Sequence, residues 1–153
     1  AMCLLSLLWL YIQFSDSSSV YNILVFNAKA IGVICTIIGV DVIVRENIVM
    51  AGPISIEIVP ECTSLPFLAI FLAGIIAFPT DIRQKLWGVL LGVIGLSLLN
   101  IIRMLCLLLV GMFIPSIFDT AHILVGQSLM IVATVVMWLF WWKRTLNDEG
   151  IQS

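Results

Sequence analysis

Three polar residues that could act together in nucleophilic catalysis stand in an otherwise apolar chain. Cys62 lies between a polar stretch and a long apolar run, with Glu61 before it and Thr63 after it. A thiol near a helix N-terminus, at a water–membrane boundary, can be both accessible and acidified. Arg103 lies inside an apolar run, and His122 is the single histidine of the sequence. A thiol, an imidazole and a guanidinium are the groups of a cysteine acyl-transfer site, so we expect them to converge.

The composition indicates an integral membrane protein. Of the 153 residues, 62% are hydrophobic and 10% are charged, whereas soluble domains have about 45–50% apolar and about 25% charged residues. The mean hydropathy of +1.22 agrees. A net charge of -2 without a basic tract argues against a nucleic-acid partner. The scattered cysteines and single histidine fit neither a disulfide framework nor a zinc site, so we expect no metal and no cofactor.

We expect an all-α polytopic membrane protein, with about five transmembrane helices in a single domain over residues 1–153. The apolar runs cover residues 1–14, 20–40, 63–79, 86–115 and 121–142. The first run is short for a span, which suggests that residues are missing before it. The run 86–115 exceeds one upright span, so we expect either a long tilted helix or a span to about Arg103 followed by a bent-back piece.

Residues 41–61 interrupt the apolar runs with a pattern typical of β-strands. Ile54, Ile56 and Ile58 alternate with polar residues, and a turn signal at residues 51–53 separates them from earlier β-branched residues. We therefore predict a short β-hairpin just before the helix that follows Cys62. Because the open edges of a sheet cannot be satisfied in lipid, we expect this hairpin outside the hydrocarbon, on the membrane surface.

The distribution of lysine and arginine predicts the orientation. A loop over residues 80–85 carries two cations, and the polar tail over residues 143–153 begins with two more. Short basic segments stay in the cytoplasm, so we expect both there. The hairpin and the three candidate catalytic residues then lie at the outer face of the plasma membrane. In this scheme the break at residues 15–19 falls on the inner side, although it contains no basic residue.

Each candidate also has an ordinary structural explanation. A cysteine in an apolar protein is most often a packing residue. Arg103 could be an anchor at the outer interface, and Asn100, one turn earlier, could bond to another helix. His122 could cap a helix or pair with Asp119, three residues before it. Glu61 could be a solvated charge at the interface.

Three short motifs resemble the exosortase/archaeosortase family of integral membrane cysteine transpeptidases. They are Glu61-Cys62-Thr63, Asn100-x-x-Arg103 and Asp119-x-x-His122. The resemblance runs roughly from Lys29 to Trp142. It implies a multi-pass enzyme that cleaves the C-terminal sorting signal of exported proteins through a cysteine thioester. It also implies substrates with a C-terminal motif, a transmembrane helix and a basic tail, and an acceptor that is a lipid, another surface group or water.

The same resemblance implies a role for each motif residue. Cys62 is the nucleophile, Arg103 stabilises the transition state, and His122 is the general base or acid. The supporting residues are Glu61, Thr63, Asn100 and Asp119. Ser64 stands where the family usually has a glycine, which would alter how closely a substrate backbone approaches the thiol. The chain also shows fewer spans than many members, as expected of a minimal member or a trimmed core.

Two other function classes fit the same composition. Asn100 and Arg103 could line the polar path of a small transporter or channel subunit. Alternatively, the hairpin could bind an exported partner in a non-catalytic membrane scaffold. A reaction that depends on Cys62 would distinguish the enzyme from both.

Overall fold

The computed structural model describes residues 18–52 and 54–150, and the chain divides into two compact units, residues 1–63 and 64–153. The described residues are mostly helical, with one small antiparallel sheet, so the helical class with an added β element is confirmed. Three described helices are long and apolar enough to cross a membrane. The expected count of five spans stays a prediction. The apolar run at residues 1–14 lies outside the described residues.

In its described residues, the first unit joins one helix to a three-stranded sheet. Its elements are α1 (Ser18–Ile37), β1 (Ile43–Arg45), β2 (Ile48–Ala51), β3 (Ile54–Glu57) and a 3-10 turn, η1 (Pro60–Cys62). The strands form an antiparallel meander in the order β1-β2-β3. The predicted hairpin is therefore extended by one strand, because the β-branched residues before the turn signal form both β1 and β2.

The sheet alternates its faces as the sequence pattern predicts. Val44 pairs with Val49, and Val49 pairs with Ile56, so three apolar side chains form one cross-strand row. Val49 is buried, whereas Ser55 and Glu57 on β3 are exposed. Period-two alternation places all of one apolar set on the same face of a sheet, and here that face is the buried one.

The second unit is a helical bundle. Its elements are α2 (Leu65–Ala77), α3 (Ile82–Phe113), a 3-10 turn η2 (Pro115–Ile117), the single turn α4 (Phe118–Thr120), a π-helical segment π1 (Ala121–Gly126) and α5 (Gln127–Gly150). The buried apolar core contains Phe71, Ile75, Leu96, Met130 and Trp141. These residues come from α2, α3 and α5, so the three helices share one core.

Glycines on α3 allow its neighbours to pack closely. A Cβ at Gly92 would lie 2.4 Å from the Phe71 ring, and one at Gly88 would lie 2.6 Å from Nε1 of Trp141. The same indole nitrogen donates a hydrogen bond to the Gln84 carbonyl, at 2.9 Å. Lipid supplies no hydrophobic driving force between helices, so close packing at small residues is what stabilises such a bundle.

The structure decides between the alternatives for the long apolar run. α3 is one uninterrupted helix of 32 residues that passes through Arg103 without a break. It ends before Pro115, where the residue preceding a proline is disfavoured in helical conformation. It also begins at Ile82, earlier than expected, so Arg83 and Lys85 belong to its first turn rather than to a loop. α2 is shorter than the run 63–79 from which it was predicted, with 13 residues.

Candidate active site

Cys62 ends a tight 3-10 turn at the close of the first unit. Its amide donates a hydrogen bond to the Val59 carbonyl at 2.9 Å. Thr63 donates twice to the Pro60 carbonyl, from its amide at 3.1 Å and from its hydroxyl at 2.6 Å. Pro60 begins the turn, where its fixed φ is favourable and its missing N–H costs nothing. Both hydrogen bonds of Thr63 therefore stabilise the turn that carries Cys62, and the supporting role expected of Thr63 in catalysis stays a prediction.

The Cys62 side chain is buried, with only 4% of its surface exposed. Sequence reasoning expected an accessible thiol, because polar residues flank it. Thr63 is also buried, and Glu61 is exposed. Cys62 differs in burial from Cys106, which is an exposed free cysteine on α3. The Cys62 thiol is therefore shielded from bulk water.

Ser64, where the family pattern usually has glycine, adopts φ -76° and ψ -6°. That conformation suits any residue, so the backbone at this position does not need glycine. The hydroxyl of Ser64 lies 3.3 Å from the hydroxyl of Ser97, within hydrogen-bond distance. Ser64 therefore links the start of α2 to α3. It makes no side-chain capping bond to the helix that it precedes.

Asn100 and Arg103 are buried on α3, at 0% and 3% exposure. The Asn100 amide nitrogen lies 3.7 Å from the sulfur of Met104, a weak acceptor. Its carbonyl oxygen accepts no hydrogen bond within the part of the chain that the structure describes. Polar and charged side chains inside an apolar bundle are costly, and they are most often retained for function.

His122 is the second residue of the π-helical segment Ala121–Gly126. Such segments are rare, and they occur frequently at functional sites. The imidazole stacks on the ring of Phe118, with centroids 6.0 Å apart and 7° between the planes. Asp119 lies three residues before His122 in α4, and the proposed pairing of their side chains remains a prediction.

Arg103 packs against the segment that carries His122. A Cβ at Gly126, the last residue of π1, would lie 3.5 Å from Cδ of Arg103 and 3.7 Å from its Nη1. A Cβ at Gly126 would meet the arginine stem at ordinary van der Waals distance, so the stem lies directly beside the π1 segment. Two of the predicted catalytic residues thus come from contacting elements, α3 and π1, within the second unit.

Sequence reasoning did not find Gly126 or Ser97 as contributors to this site. Gly126 could have been noticed as a glycine one turn after the single histidine, but the π-helical backbone has no recognisable sequence signal. Among the described residues, no group of three histidine, cysteine, aspartate or glutamate residues could hold a metal ion.

A family model described as transmembrane exosortase matches residues 1–141 of the chain. The match includes all three motifs on which the resemblance was based, and it confirms that resemblance. No curated protein and no solved structure matches the chain.

Proposed function

Because the chain belongs to the transmembrane exosortase family, we propose that it is a membrane-embedded cysteine transpeptidase or protease. Membership itself supports a membrane exosortase-type function in general. The finer proposal is that it cleaves the C-terminal sorting signal of exported proteins and transfers them to a lipid or other surface acceptor. The observation that carries this proposal is the packing of buried Arg103 against the π-helical segment of His122.

In the proposed reaction, the Cys62 sulfur attacks a peptide carbonyl of the sorting motif. His122 takes the thiol proton as the carbon–sulfur bond forms, and later gives it to the amine of the departing tail as the carbon–nitrogen bond breaks. The Arg103 guanidinium stabilises the oxyanion between these steps. The product is a thioester, which an acceptor amine or hydroxyl resolves in a transpeptidase. Water as the acceptor makes the enzyme a protease.

Burial of Arg103 supports its assignment to the oxyanion. Only 3% of this side chain is exposed, so the guanidinium lies in a medium of lower dielectric constant than water. Charge interactions are stronger there, and a preorganised donor needs no rearrangement when the oxyanion develops. The buried stem, fixed between α3 and Gly126, restricts where the charged group can move.

We propose that the substrate is held by its own membrane helix beside the exposed apolar surface of the second unit. The large exposed apolar residues of α3 include Leu90, Val93, Ile94, Leu98 and Ile102. A substrate helix in the same bilayer would be presented at a high effective concentration, which supplies part of the rate advantage. We keep the orientation expected from the basic residues, with the reaction at the outer face and the C-terminus in the cytoplasm.

The test is co-expression with an exported protein that carries a C-terminal motif, an apolar helix and a basic tail. The wild type should release the tail, and Cys62→Ala should release none while remaining folded in the membrane. Cys106→Ala is the matched control, because it removes an exposed thiol from α3, and it should retain activity. Full cleavage by Cys62→Ala would contradict the proposal. An ion flux that survives Cys62→Ala would support the transporter or channel class instead.

A further inference from the structure

The sheet of the first unit folds back along α1. A Cβ at Gly32 would lie 2.5 Å from Cγ2 of Val44, so β1 crosses the helix closely at that level. At the β1–β2 turn, the carboxylate of Glu46 lies beside the Tyr21 hydroxyl, close enough to interact with it. Tyr21 and Gly32 are about 16 Å apart along a helix that rises about 1.5 Å per residue. The hairpin of β1 and β2 therefore lies beside about three turns of α1.

This arrangement conflicts with α1 as a transmembrane span. Its length and composition would allow a crossing. However, Tyr21 lies about 24 Å before Ile37 along the helix axis. The hydrocarbon layer is about 30 Å thick, so in a crossing helix these two residues would be separated by most of the bilayer. A crossing with the sheet attached would carry the tip of the hairpin deep into the lipid.

The sheet itself is unsuited to lipid. β1 and β3 are its outer strands, and their outward backbone groups need water or another partner. The charged side chains of Arg45, Glu46 and Glu57 are exposed. Each would be costly in hydrocarbon. The sheet therefore lies in water, and the part of α1 that it covers lies at the same level.

The opposite side of α1 is apolar and uncovered among the described residues. Phe26, Val33 and Ile37 are 68%, 60% and 77% exposed, and their spacing of seven and four residues places them on one face. Lys29 is exposed one turn from Phe26. A lysine can extend its apolar stem along such a face and place its ammonium group among lipid phosphates.

We infer that α1 is an interfacial helix that rests on the phospholipid surface and does not cross the bilayer. The sheet covers its aqueous side, and Phe26, Val33 and Ile37 enter the lipid beneath the headgroups. The sequence carries independent support, because residues 15–19 contain Asp16 and no lysine or arginine. If α1 does not cross, this break lies on the same side as the sheet, and its lack of basic residues agrees with the positive-inside rule. The inference does not depend on the proposed reaction.

The test is a spin-label scan of α1 in the full chain, with its native cysteines replaced and the protein in vesicles of phosphatidylcholine and phosphatidylglycerol. Single cysteines at successive positions of α1 carry the label, and collision rates with oxygen and with a water-soluble nickel complex are measured. We expect oxygen access to peak at Phe26→Cys, Val33→Cys and Ile37→Cys, at a shallow and similar depth. Nickel access should peak at the exposed polar positions beside this face, Ser18→Cys, Lys29→Cys and Thr36→Cys. Neither reagent should have much access to positions that the sheet covers, such as Ala28→Cys.

Ile94→Cys on α3 is the matched control, because Ile94 is 51% exposed near the middle of a helix long enough to span. It should be the deepest label, with little nickel access. A single depth maximum at the middle of α1, with low nickel access all round, would overturn the inference. Low access of both reagents at positions 26, 33 and 37 would also overturn it, because it would mean that protein covers this face.

If a cysteine-free chain fails to fold, a second experiment makes the same distinction. Lys29→Cys is labelled with an impermeant maleimide in the native background, and mass spectrometry measures the extent of labelling at that position. Rapid labelling at position 29 supports the inference, and protection equal to that of Ile94→Cys contradicts it.

Discussion

The two units of the molecule place their polar residues in opposite ways. In the first unit, Arg45, Glu46 and Glu57 are exposed, and most apolar residues of the sheet are buried or half-buried. In the second unit, the exposed surface is apolar, and Asn100 and Arg103 are buried. The first pattern is typical of a domain in water and the second of a helical bundle in lipid. A charged residue in the first unit therefore says little about function, whereas a buried charged residue in the second unit is a candidate for a functional role.

Two buried threonines show that burial alone is not a sign of function in the bundle. Thr134 and Thr145 each donate a hydrogen bond to the carbonyl four residues earlier, at 2.7 Å and 3.0 Å. This local bond satisfies the hydroxyl at little cost. Asn100, in contrast, has a side-chain carbonyl oxygen that accepts no hydrogen bond from the described residues. Arg103 places a charged group inside the bundle, so these two residues are the better candidates for function.

Among substitutions in the second unit, loss of the His122 imidazole should have the largest effect on activity. His122→Gln keeps a hydrogen-bonding side chain but cannot transfer a proton near neutral pH, so we expect cleavage to slow by about 10²–10⁴-fold. The measurement is the rate of tail release from a co-reconstituted substrate. Phe118→Leu, which removes the stacked ring and leaves the imidazole, should cause a smaller loss. Equal losses in the two variants would show that His122 has only a packing role.

Removal of one arginine from each unit should have very different effects on the cleavage rate. Arg103→Ala should slow cleavage by about 10²–10³-fold, because it removes the proposed oxyanion donor. Arg45→Ala removes the same charge from the exposed sheet, and it should leave the rate within about twofold, since isolated surface charges contribute little. Arg103→Lys keeps a positive charge and should recover part of the loss. Equal loss of activity in the two alanine variants would contradict a special role for the buried arginine.

Glycine substitutions on α3 should alter stability rather than chemistry. Gly92→Ala forces a Cβ to within 2.4 Å of the Phe71 ring, and overpacking of this kind costs about 1–3 kcal/mol. At Gly95 the nearest atom is the terminal methyl of Met137, also at 2.4 Å. That methyl can move, so Gly95→Ala should cost less. Thermal unfolding in detergent measures the stability of both variants. A larger loss of stability in Gly95→Ala than in Gly92→Ala would contradict the packing described.

The smallest predicted effect concerns the link between Ser64 and Ser97. A double-mutant cycle with Ser64→Ala and Ser97→Ala should give a coupling energy of about 0.5–1.5 kcal/mol, the usual net value of one hydrogen bond. The measurement is the free energy of unfolding of the two single variants and the double variant. Strict additivity would show that the two hydroxyls do not interact in the folded protein.

The sequence predicted those features of the fold that depend on local pattern. The alternation of Ile54 and Ile56 located a strand. The long apolar run 86–115 located α3, although the run alone left open whether the helix bends after Arg103. The start of α3 was missed because Arg83 and Lys85 were interpreted as loop cations. Both residues are good helix formers, so their charge indicated the interface and not a break in the helix.

Features set by tertiary contacts could not be predicted in the same way. The burial of Cys62 depends on what packs over its turn, and its polar neighbours suggested the opposite. The contact of Arg103 with Gly126 joins positions 23 residues apart, through a π-helical turn that no local preference encodes. The three motifs identify the candidate residues, but they do not indicate how the elements that carry them contact one another.

We propose that Cys62 forms a covalent intermediate with the substrate, and mass spectrometry of acid-quenched reactions is the most direct test. A substrate fragment should be attached to the peptide that contains Cys62, and hydroxylamine should release it, as it releases a thioester. The adduct should be absent from Cys62→Ala and unchanged in Cys106→Ala. Continued release of the tail with no adduct on Cys62, or with the adduct on another residue, would show that Cys62 is not the nucleophile.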